Sequence, residues 1–362
     1  MHYKFREQVI MKAINDNIIN RNRNKLEDVI PLSTPYTVAI DPSNLCNFKC
    51  NFCAIQSKSE KLNFKKQFMD KKLFFKIIDD LTEFPEQLKV LRINGQGEPL
   101  LNPDLPEMIQ YAKDKHVAEF VEIITNGSRL NPELSKRLID SGIDRIRISI
   151  EALDADGYYD IAGVQINFDN FVNNIKYLHD ISGNCEIYCK IVDVAVPTDS
   201  DKQKFYNLFG DICDRIFIDN VIPLWSDFEE IKDNMVIGEK GVHGQKVQNV
   251  MVCPYSFYSL IVNSDGEVTA CCADWKRKLV FGDLNNDKLT DIWRGEKLRN
   301  FWIEMLKGNK NSYEMCCKCT LPAFDCNDYI DDYADMILRR VIGEENEIWK
   351  TGVSIYREND RK

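Results

Sequence analysis

The sequence predicts an α/β fold: a partial (β/α)6 barrel followed by a small C-terminal α+β domain. Six short runs rich in Val, Ile or aromatic residues alternate with helical segments. Repeated βα units favour a parallel sheet with helices outside. Six units, rather than the eight of a closed barrel, indicate an open or partial barrel. Beyond these units, cysteines cluster around a predicted hairpin, which indicates a second domain.

The chain begins with a polar N-terminal arm, predicted over residues 1–35, and the barrel follows over residues 36–222. Its predicted strands are Tyr36–Asp41, Leu88–Asn94, Val117–Thr125, Asp144–Ile150, Cys185–Val194 and Asp214–Val221. The segment after Asp70 is apolar at helical spacing. Asn131 and Pro132 are typical of a helix start, and Gly142 of the end of that helix.

Residues 223–252 are predicted to be a linker, residues 253–326 the second domain and residues 327–362 a C-terminal helix. In the second domain, Asp265-Gly266 is a strong turn signal between two short apolar runs. This pattern predicts a hairpin with Cys271 on its returning strand. A single helical segment is expected over Leu289–Leu306.

Charge and cysteine content exclude several classes of function. The net charge is −10 with no basic block, which argues against a nucleic-acid or anionic-membrane partner. There is no apolar signal core and no run long enough to span a bilayer, so we expect a cytoplasmic protein. In that reducing compartment, clustered cysteines indicate metal ligation rather than disulfides.

Three cysteines, Cys46, Cys50 and Cys53, follow the first predicted strand at the spacing C-x3-C-x2-C. Thiolates bind soft metals and iron–sulfur clusters, and a zinc site or a closed four-iron cluster takes four protein ligands. No histidine lies near these cysteines. Three thiolates would leave one coordination position open, which implies a ligand there and therefore chemistry. A structural metal knot is the alternative.

This triplet, with Phe52 before its last cysteine, resembles the signature of the radical S-adenosylmethionine (SAM) superfamily. The resemblance implies that the three thiolates hold a [4Fe–4S] cluster and that SAM chelates its fourth iron. It further implies reductive cleavage of SAM to a 5′-deoxyadenosyl radical, which abstracts a hydrogen atom from the substrate. An external reductant such as flavodoxin or ferredoxin is expected.

Four more residues resemble SAM-binding positions of this family. Gly97 and Glu98 resemble its Gly-Gly-Glu motif, although Gln96 stands where the first glycine is common. Asn126 follows the third strand and Ser149 lies near the end of the fourth, where the family contacts the cofactor. Taken singly, Gly97 and Glu98 also fit an ordinary strand-to-helix turn, Asn126 fits a plain turn and Ser149 fits a buried hydroxyl.

A second cysteine group resembles the twitch domain, the shortened relative of the SPASM domain, which holds an auxiliary [4Fe–4S] cluster. The ligands that the resemblance implies are Cys253, Cys271, Cys316 and Cys319. The adjacent Cys272 and Cys317 leave this choice open, and a zinc ribbon is the alternative. Downstream of Cys319 there is a single further cysteine, Cys326, which favours one auxiliary cluster.

A closed second cluster suggests a redox role, as in the family's 2-deoxy-scyllo-inosamine dehydrogenase-type and sulfatase-maturase-type enzymes. The predicted reaction is oxidation of a carbinol C–H in a sugar, nucleotide sugar or cyclitol. A peptide-modifying maturase and a radical epimerase of a sugar or peptide are the alternatives. The short segment before the first strand leaves no room for a separate leader-peptide-binding domain, which favours a small molecule. A non-enzymatic electron carrier is a further alternative.

Strand alternation also predicts which charges face the barrel interior. If Ser149 faces inward, Arg145 and Arg147 do so too, and by the same argument Glu122 accompanies Asn126. Arg147 is predicted to contact either the substrate or the SAM carboxylate. An ion pair between Arg147 and Glu122 is the alternative.

Overall fold

The computed structural model describes residues 13, 24–53, 55, 64–223, 239–325 and 328–343. Within them the strands form one nine-stranded sheet in the order β6-β5-β4-β3-β2-β1-β7-β8-β9. The strands are β1 Thr37–Ile40, β2 Leu88–Ile93, β3 Ala118–Thr125, β4 Arg145–Ile150, β5 Glu186–Val192, β6 Arg215–Asp219, β7 Ser259–Val262, β8 Glu267–Thr269 and β9 Val280–Asp283.

Strands β1 to β6 are all parallel to their neighbours. All six agree with the predicted strands to within two residues at either end. The parallel sheet is open, with β6 and β9 at its edges, and this confirms the predicted α/β partial barrel. The carboxyl ends of β1 to β6 therefore meet at one side of the sheet, where sites gather in such folds.

Helices between residues 71 and 209 connect the parallel strands, one more helix precedes the first strand, and the rest follow the last strand. The described helices are α1 Leu26–Val29, α2 Lys71–Leu81, α3 Leu105–Asp114, α4 Pro132–Asp140, α5 Ala155–Ala162, α6 Phe168–Asp180, α7 Asp199–Phe209, α8 Leu289–Trp293, α9 Glu296–Leu306, α10 Glu314–Cys317, α11 Leu321–Asp325 and α12 Ala334–Ile342. The predicted start of α4 is confirmed, because the Asn131 side chain accepts a hydrogen bond from Leu134 N at 3.0 Å. Gly142 follows α4 with φ +77°, a conformation that glycine adopts readily.

Strand β4 shows how the two faces of the sheet divide. Ile146, Ile148 and Ile150 are at most 1% exposed, and Ile148 lies on the side of α6. Arg145 and Ser149 alternate with them and face the barrel interior, because successive side chains of a strand point to opposite faces. The core therefore lies between sheet and helices, and polar side chains line the interior.

The predicted hairpin is present, with Gly266 at φ +98° between β7 and β8. Its first strand also pairs in parallel with β1 over four residues, from Thr37 opposite Ser259 to Ile40 opposite Val262. The sequence analysis did not predict this pairing. It places the second cysteine region directly beside the first strand of the barrel.

Two details of the second region were predicted wrongly. Strand β8 ends at Thr269, where a register shift against β9 interrupts the pairing, so Cys271 lies in the following loop. The helical segment predicted over Leu289–Leu306 is divided into α8 and α9. Gly295 lies at the break in an extended conformation, and a Cβ there would lie 2.8 Å from Asp291 O.

Several predictions fall outside the described residues. These are most of the N-terminal arm, residues 224–238 of the linker, Cys326 and the C-terminal residues 344–362. Among the helices that the structure describes, none is both long enough and apolar enough to cross a membrane.

Candidate active site

The cysteine loop leaves the carboxyl end of β1 and holds three thiols close together. Cys50 is buried, whereas Cys46 and Cys53 are half-buried. Burial raises the pKa of the Cys46 thiol to about 11, and the neighbouring carboxylates and the Cys53 thiol act in the same direction. Burial also raises the pKa of the Cys50 thiol, and electrostatic interactions with both other thiols raise it further. The loop therefore brings together the three cysteines that the spacing singled out.

A cavity of about 150 Å³ opens beside this loop. Six of the predicted site residues line it: Cys46, Cys50, Gly97, Glu98, Asn126 and Ser149. Phe52 and Cys53 are not among the lining residues; both instead pack against the hydrophobic core. Side chains from the ends of β1, β2, β3 and β4 thus meet around one space.

Gly97 lets the loop after β2 approach the cysteine loop closely. A Cβ at this position would lie 2.2 Å from Ser43 O and 2.3 Å from Leu45 O. The next residue fastens the two loops together, since Glu98 N donates to Leu45 O at 2.7 Å. The glycine is therefore required by the backbone of the cysteine loop itself.

The Glu98 carboxylate holds the turn after β3 in place. It accepts hydrogen bonds from Asn126 N at 2.7 Å, from Leu100 N at 2.9 Å and from Thr125 Oγ1 at 2.5 Å. Its side chain is buried, and burial raises its pKa to about 7 despite these bonds. A carboxylate fixed in this way gives the cavity a rigid polar wall.

Asn126 connects the same turn to the cysteine loop. Its Nδ2 donates to Asn47 Oδ1 at 3.1 Å and lies 4.0 Å from Cys46 Sγ. Its Oδ1 accepts from Ser128 N at 3.0 Å and from Ser128 Oγ at 2.7 Å. The side chain is therefore held by four contacts at the edge of the cavity.

Gln96, which departs from the family's glycine, links the site to the second cysteine region. Its Nε2 donates to Trp275 O at 3.2 Å, and its Oε1 accepts from Arg277 Nη2 at 3.4 Å. Both partners lie in the loop that follows Cys271. The departure thus provides a contact that a glycine lacks.

The structure also adds cavity residues that the sequence analysis missed. Phe48, Asn94 and Glu151 line the cavity, and Asn94 Oδ1 is buried without a hydrogen-bond partner in the described part of the chain. Burial raises the pKa of Glu151 to about 7, and its carboxylate is hydrogen-bonded to the Cys50 thiol. Position alone could have identified Glu151, because it lies two residues beyond Ser149, directly after the carboxyl end of β4.

Arg147 lies outside this cavity. Its Nη1 is 3.9 Å from Glu122 Oε1, so the structure contains the ion pair considered as the alternative to a ligand contact. The guanidinium also lies over the Phe217 ring, 6.0 Å from its centroid.

The four thiols assigned to an auxiliary cluster form a second group. Cys271 interacts electrostatically with Cys253 and Cys319, and Cys316 interacts with Cys319. Cys316 and Cys319 are half-buried. By contrast, Cys317 is exposed, and its thiol donates to Glu314 O at 3.1 Å. This arrangement favours Cys316 over Cys317 as a ligand.

Neither group has the arrangement of a formed metal site: within the described residues, no three His, Cys, Asp or Glu side chains could hold a metal ion as they stand. The donor chemistry nevertheless fits iron–sulfur clusters, because each group offers soft sulfur donors that interact electrostatically with one another. At the first group, the adjoining cavity and the unpartnered Asn94 Oδ1 also fit a polar organic ligand beside a cluster.

Comparison with known proteins gives two family matches. The model of the radical SAM superfamily matches residues 40–209, and that of the SPASM domain, an iron–sulfur cluster-binding domain, matches residues 253–320. The tungsten-containing aldehyde ferredoxin oxidoreductase cofactor-modifying protein of Pyrococcus furiosus is 24% identical over 323 residues, which is 78% of this chain and 86% of that protein. A probable GTP 3′,8-cyclase of Methanococcus maripaludis is 33% identical, but over 33% of this chain and 37% of its own length.

Solved structures show the same fold at low sequence identity. Streptococcus suis SuiB bound to its precursor peptide SuiA has a TM-score of 0.58 and 15% identity, covering 85% of this chain and 74% of that chain. BtrN in complex with AdoMet and 2-DOIA has a TM-score of 0.53 and 17% identity, covering 81% of this chain and 96% of that chain.

The open parallel barrel and the cysteine loop at its first strand define a radical SAM enzyme. This chain contains a radical SAM domain at residues 40–209 and a C-terminal SPASM iron–sulfur domain at residues 253–320, which confirms the predicted radical SAM enzyme with a twitch/SPASM-like domain. Its first domain binds a [4Fe–4S] cluster and SAM, and its second domain is of the kind that binds auxiliary iron–sulfur clusters.

Proposed function

We propose that this protein is a radical SAM oxidoreductase that removes two electrons from a carbinol of a sugar, nucleotide sugar or cyclitol. The observation that carries the proposal is the pairing of β7 with β1, which joins the auxiliary cysteine region to the strand that precedes the first cysteine loop. When bound, SAM and its cluster would supply hydrogen-atom abstraction chemistry, and an auxiliary cluster would supply an acceptor for the second electron. The hydroxyl proton leaves as the carbonyl forms, so the substrate loses two hydrogens.

The chain's own residues hold and orient these groups. Cys46, Cys50 and Cys53 are the proposed ligands of the first cluster, with Phe52 packed beside the last of them. Gly97, Glu98, Asn126 and Ser149 are proposed to bind SAM. Their support is that all four line the cavity next to Cys46 and Cys50.

A single auxiliary [4Fe–4S] cluster is proposed for Cys253, Cys271, Cys316 and Cys319. Their mutual electrostatic interactions support this group, and the exposure of Cys317 favours Cys316; Cys272 also interacts with Cys271 and Cys319. The electron that cleaves SAM is proposed to come from an external reductant such as flavodoxin or ferredoxin.

A peptide-modifying maturase is the second candidate. SuiB, which shares this fold, has been solved with a precursor peptide, and its likeness to this chain extends over 85% of the chain.

The test is anaerobic reconstitution with iron and sulfide, followed by reduction with SAM present and analysis of the products. We expect 5′-deoxyadenosine and a product that is lighter than the substrate by two hydrogens. An unchanged mass with uptake of solvent deuterium would indicate epimerisation instead, and absence of 5′-deoxyadenosine would overturn the proposal. Cys50→Ser should abolish SAM cleavage. Cys213→Ser is the matched control, because that buried thiol donates to Phe209 O at 3.1 Å and a hydroxyl can keep the bond.

A further inference from the structure

A row of alternating charges crosses the barrel interior. Strand register aligns Arg92, Glu122, Arg145 and Glu186 on the neighbouring strands β2, β3, β4 and β5. Arg92 Nε lies 2.6 Å from Glu122 Oε1, Arg145 Nη1 lies 3.1 Å from Glu122 Oε2, and Arg145 Nη2 lies 2.8 Å from Glu186 Oε2. Every member of this row therefore has an opposite charge within hydrogen-bonding distance.

Arg147 lies beside the row but has no such partner. It is two residues beyond Arg145 on the same face of β4, and its side chain is 14% exposed. Its distance of 3.9 Å to Glu122 is too long for a hydrogen bond, and the same oxygen already accepts from Arg92. Among the residues that the structure describes, none accepts a hydrogen bond from this guanidinium, and its Nε is fully buried.

The local charges do not balance either. Three guanidiniums, those of Arg92, Arg145 and Arg147, face the two carboxylates Glu122 and Glu186. Within this set the guanidiniums outnumber the carboxylates by one, and Asp325 also interacts electrostatically with Arg92. Leaving a buried charged donor without an acceptor is costly, which makes this position receptive to an anion.

One further carboxylate acts on Arg147 from β6, but it is already engaged. Asp219 interacts electrostatically with Arg147. Its two oxygens lie 3.4 Å from Lys190 Nζ and 3.1 Å from His243 Nδ1. Asp219 is therefore already engaged by Lys190 and His243.

We infer that Arg147 binds an anionic group of the substrate, a phosphate or a carboxylate, inside the barrel. The planar guanidinium fork suits both groups, since it can donate two parallel hydrogen bonds to either. The anion is assigned to the substrate rather than to SAM because Arg147 does not line the cavity formed by Gly97, Glu98, Asn126 and Ser149. The inference rests on the proposed function and adds that the substrate is anionic.

The test measures anion binding to the reconstituted holoenzyme at saturating SAM by isothermal titration, with inorganic phosphate and acetate as separate probes. We expect at least one probe to bind, and the two arms distinguish a phosphate from a carboxylate group. Arg147→Gln should weaken binding about tenfold to a hundredfold, as expected for lost hydrogen bonds to a charged group. Arg147→Lys, which keeps the charge but loses the fork, should be intermediate. Arg137→Gln is the control, because Arg137 is on α4 and donates to Pro103 O at 3.3 Å.

Three results would overturn the inference: neither probe binds, the Arg147→Gln variant binds as well as wild type, or this variant loses SAM affinity instead. Formation of 5′-deoxyadenosine is measured in the same samples. A wild type that cleaves SAM but binds neither anion overturns the inference alone. A wild type that does not cleave SAM overturns the proposed function, and the inference with it.

Discussion

Gly97 offers the sharpest test of how the cavity is built. In Gly97→Ala, the added Cβ would lie 2.2 Å from Ser43 O and 2.3 Å from Leu45 O. Non-bonded carbon contacts are comfortable at about 3.5 Å, so the two loops must separate by roughly 1 Å. The atoms in the way are backbone, and no side-chain rotation relieves the clash. Overpacking of this kind costs about 1–3 kcal/mol.

The separation should act on the cysteine loop first. We expect the free energy of unfolding of Gly97→Ala to fall by about 1–3 kcal/mol. We also expect the iron content to fall from about eight to about four per chain, because the first cluster loses its geometry while the auxiliary cluster is retained. Denaturant unfolding and iron analysis after anaerobic reconstitution measure the two effects.

The control is Gly308→Ala. Gly308 has φ +77° and open space around it, so this variant pays for an unfavourable backbone conformation without a clash. It should lose stability yet keep its full iron content. If Gly97→Ala also binds about eight irons and keeps its SAM affinity, the close approach of the two loops is not what shapes the site.

Two further predictions concern the auxiliary ligands and the interior charges. Cys316→Ser should lower the iron content to about four per chain, whereas Cys317→Ser should leave it near eight, and equal iron in both variants would contradict the assignment. Glu122→Gln should cost about 3–5 kcal/mol near neutral pH because it removes the buried carboxylate that pairs with both Arg92 and Arg145. Burial alone would raise the pKa of Glu122, but the guanidiniums of Arg92 and Arg147 lower this pKa from 4.5 to about 2. The stability that this carboxylate contributes is therefore present above pH 4.5 and is lost as the pH falls through about 2. The difference between wild type and Glu122→Gln should shrink over this range in urea unfolding, and a constant difference would refute the cause.

Local signals carried most of the barrel prediction. Short apolar runs and a capping asparagine act within a few residues, so β1 to β6 and the start of α4 could be located from sequence. Strand alternation likewise placed Arg145 and Glu122 on one face, where they form an ion pair at 3.1 Å.

Features that depend on contacts between residues far apart in the sequence could not be predicted from local sequence signals. The pairing of β1 with β7 joins residues more than two hundred positions apart, and neither strand carries a signal for the other. Periodicity also says little about loops. Of two aromatic residues in the cysteine loop, Phe48 lines the cavity and packs edge-to-face on Tyr158 with ring centroids 6.0 Å apart, whereas Phe52 packs elsewhere on the core.

The same pairing means that the SPASM region is not an appendage. Strand β7 covers the side of β1 that would otherwise be the free edge of the parallel sheet. A chain cut before residue 239 would expose a row of unpaired backbone donors and acceptors on β1, directly before the cysteine loop. Such an edge invites pairing between chains. The C-terminal region therefore also protects the barrel from association, and one continuous sheet joins the strands next to the two cysteine groups.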